Sequence, residues 1–161
     1  MKRCSLFLCF LLALPVPIAS GADFIARVLT VHEGDRLTIH HQGRKDTIYL
    51  RDVDCPELKQ PYGKQAKHAT AAYVGNREVV VRELKRNPHG RVTADIFLQD
   101  GRNVAHELVK EGLAWVQSVG TERHGLKDLE ELARAAGKGL WAEPSPIPPW
   151  KWNAAQPVHQ H

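Results

Sequence analysis

Thr47-Ile48-Tyr49-Leu50-Arg51-Asp52-Val53-Asp54-Cys55-Pro56-Glu57 is the stretch on which the fold turns. Residues 47–53 have the apolar, β-branched character of a strand. That strand ends in a cluster of carboxylates (Asp52, Asp54 and Glu57) and is stiffened by Pro56. Upstream, residues 24–31 alternate apolar and polar side chains until His32-Glu33-Gly34-Asp35 interrupts them. Leu37, Ile39 and His41 then carry a period of two into the turn Gln42-Gly43-Arg44-Lys45. Three strands joined by short turns is the simplest reading. Downstream, residues 62–74 are alanine-rich and contain no glycine after Gly63, which predicts a helix stopped by Gly75-Asn76. Residues 78–84 and 91–98 read as two further strands, the second closed by Gln99-Asp100-Gly101-Arg102. Asn103 is placed to cap a helix whose apolar positions Val104, Leu108 and Val109 share a face. Residues 126–136 form a second amphipathic pattern, ended by Gly137 and Gly139. The proline-rich tail from Pro144 to Pro149 is expected to run extended over the surface, with Trp150 and Trp152 holding it down. Five short strands with a helix between the third and fourth fit a small, partly open five-stranded β-barrel with α-helices, an α+β fold.

The chain has 161 residues, enough for one domain with a real core. A basic start at Met1-Lys2-Arg3, an apolar run over 6–16 and the small residues Ala19-Ser20-Gly21-Ala22 read as a cleaved secretory leader. The run is shorter than the roughly 20 residues a membrane span needs, and Pro15 and Pro17 interrupt it. The expected organisation is therefore a leader over 1–22, cut after Gly21 or Ala22, a barrel domain over 23–142 and a tail over 143–161. The product is expected to be exported, to the periplasm or the medium, as a monomer with no stable membrane association. Cys4 and Cys9 would leave with the leader, so Cys55 alone remains and no internal disulfide is possible. Lys2 and Arg3 leave too and no acid does, which takes the formal charge from +4 to +2. A surface for polyanions must then come from local clusters. The candidates are Arg82, Lys85, Arg86 and Arg91, with Arg44, Lys45, Lys64 and Lys67. Any one of these reads equally well as part of a solvated face.

Asp35 after a glycine, Asp54 and Glu57 at a strand end, and Arg91 after His89-Gly90 are the parts of a metal-dependent phosphodiesterase. Acids hold a hard cation, a carboxylate takes a proton, and a guanidinium clamps a phosphate. Taken singly, Asp35 is also an ordinary turn residue, Asp54 a strand-end acid, Glu57 a loop acid and Arg91 a surface arginine. His40, His41 and His68 match no zinc-ligand spacing and have no cysteine pair nearby.

The order of short motifs is more specific. Val31-His32-Glu33-Gly34-Asp35, Asp54-Cys55-Pro56-Glu57, Gln60-Pro61-Tyr62-Gly63 and His89-Gly90-Arg91 come first. Asp100-Gly101-Arg102-Asn103-Val104 and the run from Glu107 to Ala114 follow, with Gly139-Leu140-Trp141-Ala142 and Pro148-Pro149-Trp150 at the end. In this order they resemble the staphylococcal (thermonuclease-type) nuclease family over essentially the whole chain after the leader. The resemblance implies an OB-fold barrel with three helices and Ca²⁺-dependent cleavage of DNA and RNA, single-stranded or frayed by preference. It also implies that Asp35 and Asp54 bind the metal together with the backbone carbonyl of Cys55. Glu57 is then the general base and Arg91 the arginine on the scissile phosphate.

The chain departs from that pattern at Tyr49, where the family usually carries a second arginine. Loss of one such donor typically lowers a rate by roughly 100- to 1,000-fold. Arg51 lies two residues further on, on the same face of a continuous strand, about 7 Å away. It reads either as a substitute for the missing arginine or as a solvated strand-end residue. His89 stands where tyrosine is usual, Arg36 where threonine is usual, and the tyrosines that stack on substrate are absent after Ala114. Trp115 is the remaining aromatic there, and an aromatic after a helix is more often core. Two readings follow: a Ca²⁺-dependent endonuclease, of reduced activity if the second arginine is not replaced, or a catalytically impaired OB-fold module that binds nucleic acid without cutting it.

Overall fold

A computed structural model describes residues 23–117 and 125–155. The expected leader over 1–22 lies outside the described residues. Five strands close into a barrel: β1 (Phe24–Val31), β2 (Arg36–His41), β3 (Arg44–Leu50), β5 (Glu78–Arg86) and β6 (Val92–Phe97), in the order β1-β2-β3-β6-β5. Two two-residue strands, β4 (Val53–Asp54) and β7 (Trp115–Val116), pair with each other beside it. Helix α1 (Gly63–Val74) separates β3 and β4 from β5; α2 (Val104–Lys110), α3 (Leu126–Ala135), a 3₁₀ turn (Gly139–Ala142) and α4 (Pro149–Ala155) follow β6.

The inward faces supply the reason for closure. Val28, Leu37, Ile39, Ile48, Val79, Val81 and Ile96 are essentially inaccessible to solvent, and they fall on alternate positions of their strands, as a barrel interior requires. The barrel is closed rather than partly open because β1 pairs with β5 at one seam and β3 with β6, in parallel, at the other. Closure removes the unpaired edges that an open sheet would present. Asn103 caps α2 as its position suggested, its side-chain oxygen accepting from the backbone N–H groups of Ala105 and His106.

Two expectations need correction. The stretch 47–53 is not one strand. β3 ends at Leu50, and Asp52 takes a left-handed conformation, φ 63°, before β4 starts. Aspartate tolerates that region better than most residues, so the chain turns at the point where hydropathy alone suggested it ran on. The tail is likewise not extended throughout. Pro149 opens α4, a position where its fixed φ favours a helix and its missing N–H costs nothing. Trp150 reaches back to Trp115, with ring centres 5.9 Å apart and edge to face.

Candidate active site

Asp35 is positioned by the backbone around it. The N–H of Leu50 donates to the Asp35 carbonyl at 2.8 Å, and the buried hydroxyl of Thr70 on α1 donates to the carbonyl of Gly34 at 2.5 Å. Gly34 has no alternative here: a Cβ would lie 2.7 Å from the Cys55 side chain and 2.8 Å from Ala66. That close approach brings the Asp35 carboxylate onto the Asp54-Cys55 segment, where the Cys55 N–H donates to it. Asp35 is only 5% exposed. Burial, and then the charge of Asp54, push its carboxyl up to about 7.

Asp54 sits on β4, opposite Trp115 of β7. The same pairing brings Gln117 alongside, and its side chain hydrogen-bonds the Asp54 carboxylate. A further hydrogen bond joins the two aspartates, and burial raises Asp54 above the usual carboxylate range, with Glu57 adding to the rise and Arg91 opposing it. A buried and a half-buried carboxylate in hydrogen-bond contact cannot both be ionised without a proton or a cation between them. Among the described residues no three His, Cys, Asp or Glu side chains converge on one point. A cation here would rest on two carboxylates and on oxygens from backbone, water and substrate. That donor set suits Ca²⁺ and not a soft or tetrahedral metal. The Cys55 thiol is buried and held neutral, its pKa raised well above the usual value first by burial and then by Asp35 and Asp54. Any part Cys55 plays in binding a cation therefore falls to its backbone carbonyl.

Glu57 opens the loop before α1. Its N–H donates to the Gln60 side chain at 3.1 Å, and its carbonyl accepts from the Gln60 N–H at 2.8 Å. Gly63 lets α1 start directly against it, since a Cβ there would lie 1.8 Å from the Glu57 carbonyl oxygen. The buried Gln60 side chain also donates to the carbonyl of Ile147, so the tail is tied to this loop. Arg91 comes from the turn before β6, where its N–H donates to the Asn87 side chain at 2.9 Å. The parallel pairing Ile48↔Val92 carries it to β3. Its guanidinium carbon lies 3.7 Å from the centre of the Tyr49 ring, and its charge acts on both Asp35 and Asp54. Asp35, Asp54, Glu57 and Arg91 are thus brought to one end of the barrel.

Arg51 is placed differently. Because the chain turns after Leu50, its side chain is buried, and its Nη1 lies 3.7 Å from Asp95 on β6. Trp115 is also buried, packed edge to face on Trp141 at 4.4 Å, with the Arg134 guanidinium over both rings. Gln60, Thr70 and Gln117 support the site, while Asp95 holds Arg51 inward, and the sequence did not single them out for those roles. Each is an ordinary polar residue until the barrel closes.

The chain matches the family described as staphylococcal nuclease homologue over residues 47–143. That segment contains Tyr49, Asp54, Glu57 and Arg91; Asp35 lies before it. The chain is 33% identical over 132 residues to an uncharacterized endonuclease of Escherichia coli, covering 82% of this chain and 86% of that one. It is 29% identical over 157 residues to a protein of Escherichia coli named ParB, covering 89% and 86%. A probable staphylococcal-like nuclease of Oryza sativa subsp. japonica is 37% identical over 110 residues, 68% of this chain and 33% of the longer plant protein.

Proposed function

The chain belongs to the staphylococcal nuclease family, and from that premise we propose that it is a Ca²⁺-dependent endonuclease of DNA and RNA, acting on single-stranded or frayed segments. The observation that carries this reading is the pair of buried Asp35 and half-buried Asp54, joined carboxylate to carboxylate with Arg91 acting on both and Glu57 beside them. The names of the relatives agree with it, since two of the three cited are described as nucleases.

Asp35, Asp54 and the Cys55 carbonyl would hold the cation, which supplies Lewis-acid polarisation of the phosphoryl oxygens and makes a nearby water more acidic. Arg91 binds the non-bridging oxygens of the scissile phosphate, where a planar fork of donors meets two acceptors at once. Glu57 accepts a proton from the attacking water as its oxygen bonds to phosphorus. The P–O bond to the leaving nucleoside breaks, and that oxygen is protonated from solvent. The Gln60 and Gly63 contacts hold the Glu57 backbone, so the carboxylate is positioned before substrate arrives. Stacking on Tyr49 fixes the plane of the Arg91 guanidinium.

A second reading, nucleic-acid binding without cleavage, draws on the tyrosine at position 49 and on the burial of Trp115. One experiment separates the two. Purified protein is incubated with single-stranded DNA and with RNA, in Ca²⁺, in chelator, and as Glu57→Gln. Cleavage in Ca²⁺ that is lost in the other two conditions supports the enzyme. A wild type that binds both polymers and cuts no faster than Glu57→Gln establishes the binding module instead. Export to the periplasm or the medium, and action as a monomer, belong to the same proposal; fractionation and sedimentation test them.

A further inference from the structure

Arg36 is the first residue of β2 and the register partner of Tyr49 on β3. Directly opposed residues of antiparallel strands project from the same face, with Cβ atoms about 4.5–5.5 Å apart. A side-chain hydrogen bond joins the two, the Arg36 guanidinium donating to the Tyr49 hydroxyl. Tyr49 therefore touches two arginines: its ring face carries Arg91 at 3.7 Å, and its hydroxyl holds Arg36. Arg36 also follows Asp35 in sequence and interacts with its charge. Glu33 steadies Arg36 through Nε, at 3.1 Å. Together these contacts use a minority of the five N–H donors of a guanidinium. The Arg36 side chain is 36% exposed, against 9% for Arg51. An incoming phosphate can reach the first without breaking a buried ion pair; reaching the second would require Arg51 to leave Asp95.

We propose that Arg36 is a phosphate-binding residue of this site, gripping the nucleic-acid backbone beside Arg91, and that Tyr49 is the positioning residue that spaces the two guanidinium groups. This rests on the nuclease reading of the site. Attack of water on a phosphodiester adds a unit of negative charge to the phosphoryl group, and a single arginine faces that charge with three carboxylates nearby. A second fork of donors aimed at the same oxygens gains strength as the charge develops. Placed on β2, it does so from the strand next to Tyr49, across one ladder position.

The test uses the purified protein and a short single-stranded DNA. Affinity is read by fluorescence anisotropy in chelator, where no cleavage occurs, over a range of salt; kcat and KM are read in Ca²⁺. Arg36→Thr is expected to weaken binding about tenfold, to reduce the slope of log K against log salt by about 0.7, and to lower kcat by about 100-fold. Arg36→Lys should keep the salt slope, because the charge remains, and still lose kcat, because the planar fork is gone. Arg36→Thr/Tyr49→Arg moves the arginine back across the ladder pair and should recover most of the lost affinity. An Arg36→Thr protein with the affinity, salt slope and kcat of wild type would overturn the proposal; if that variant does not fold, an Arg36→Lys protein with wild-type kcat does the same. A wild type that fails to cleave in Ca²⁺ overturns the nuclease reading separately, while the titration in chelator still decides whether Arg36 binds the backbone.

Discussion

The two halves of this site are built in different ways. The acidic half is centred on a buried residue threaded with hydrogen bonds: Asp35 accepts from Cys55, Leu50 donates to its carbonyl, and Thr70 holds the residue before it. The basic half lies on the outside. Arg91 is exposed on a turn, Arg36 is half-exposed at a strand start, and one tyrosine holds both. Burial raises the free energy of paired carboxylates in the absence of a cation, so the fold must hold them by force of packing. Exposed guanidinium groups need only a stacking surface and a hydrogen bond. A carboxylate on this scaffold is therefore hard to relocate, whereas a guanidinium can be held against Tyr49 from a neighbouring strand or from a turn.

The largest effect that would break this contrast is kinetic. Glu57→Gln should lower the cleavage rate by about 100- to 10,000-fold while the protein stays folded, because the N–H and carbonyl of residue 57 that bond Gln60 are kept. Activity assays beside thermal melts check this, and a rate close to wild type would remove Glu57 from its role.

The acidic half should next reveal its cost in the metal-free protein. The folded-state pKa of Asp35 is raised to about 7, first by burial and then by Asp54. A carboxyl raised in this way contributes stability that is fully present below the unfolded value near 4, and it is lost as pH rises through 7. Asp35→Asn should therefore stabilise the metal-free protein by a few kcal/mol at pH 8 and by almost nothing at pH 4. Denaturant titrations in chelator at the two pH values measure it. Equal effects at both would show that Asp35 is ionised without cost. In the wild type, added Ca²⁺ should raise stability more at pH 8 than at pH 6, since a bound proton competes with the cation.

Gly34→Ala probes the packing that forces the carboxylates together. The new Cβ would meet Cys55 and Ala66 at under 3.0 Å, and overpacking of this kind costs about 1–3 kcal/mol. A neutral result by chemical denaturation would mean that α1 yields easily. The smallest effect belongs to the basic half: Arg91→Ala should change unfolding free energy by about 0.5 kcal/mol or less while reducing cleavage strongly. A large loss of stability would make Arg91 a structural residue and erase the contrast.

The carboxylates and Arg91 were legible in the sequence because each stands at a visible break in a periodic pattern: Asp35 after Glu33-Gly34, Glu57 after Pro56, Arg91 after His89-Gly90. The strands of the barrel were legible for the same reason, since a period of two survives into the folded state wherever one face is buried. The supporting shell was not. Thr70, Asp95 and Gln117 lie 36, 44 and 63 residues beyond the positions they serve, Gly34, Arg51 and Asp54, counting along the chain, and no local pattern marks a polar residue that acquires its partner only on closure. The tail helix was missed because a short segment after two prolines has little periodicity, and the contacts that hold the tail, Trp150 on Trp115 and Ile147 on Gln60, come from distant residues.

The sequence by itself determined the strand faces, the helix cap at Asn103 and the acidic and basic residues available to a site. These follow from local chemistry, namely alternation, capping and turn preference, which a segment carries wherever it lies. Only the tertiary structure decided which arginine stands beside Arg91. The left-handed turn at Asp52 takes Arg51 inward to Asp95, and the β2–β3 register sets Arg36 opposite Tyr49. Reach across a ladder depends on register and on where a strand ends, and both are settled by the closing of the barrel rather than by any residue alone.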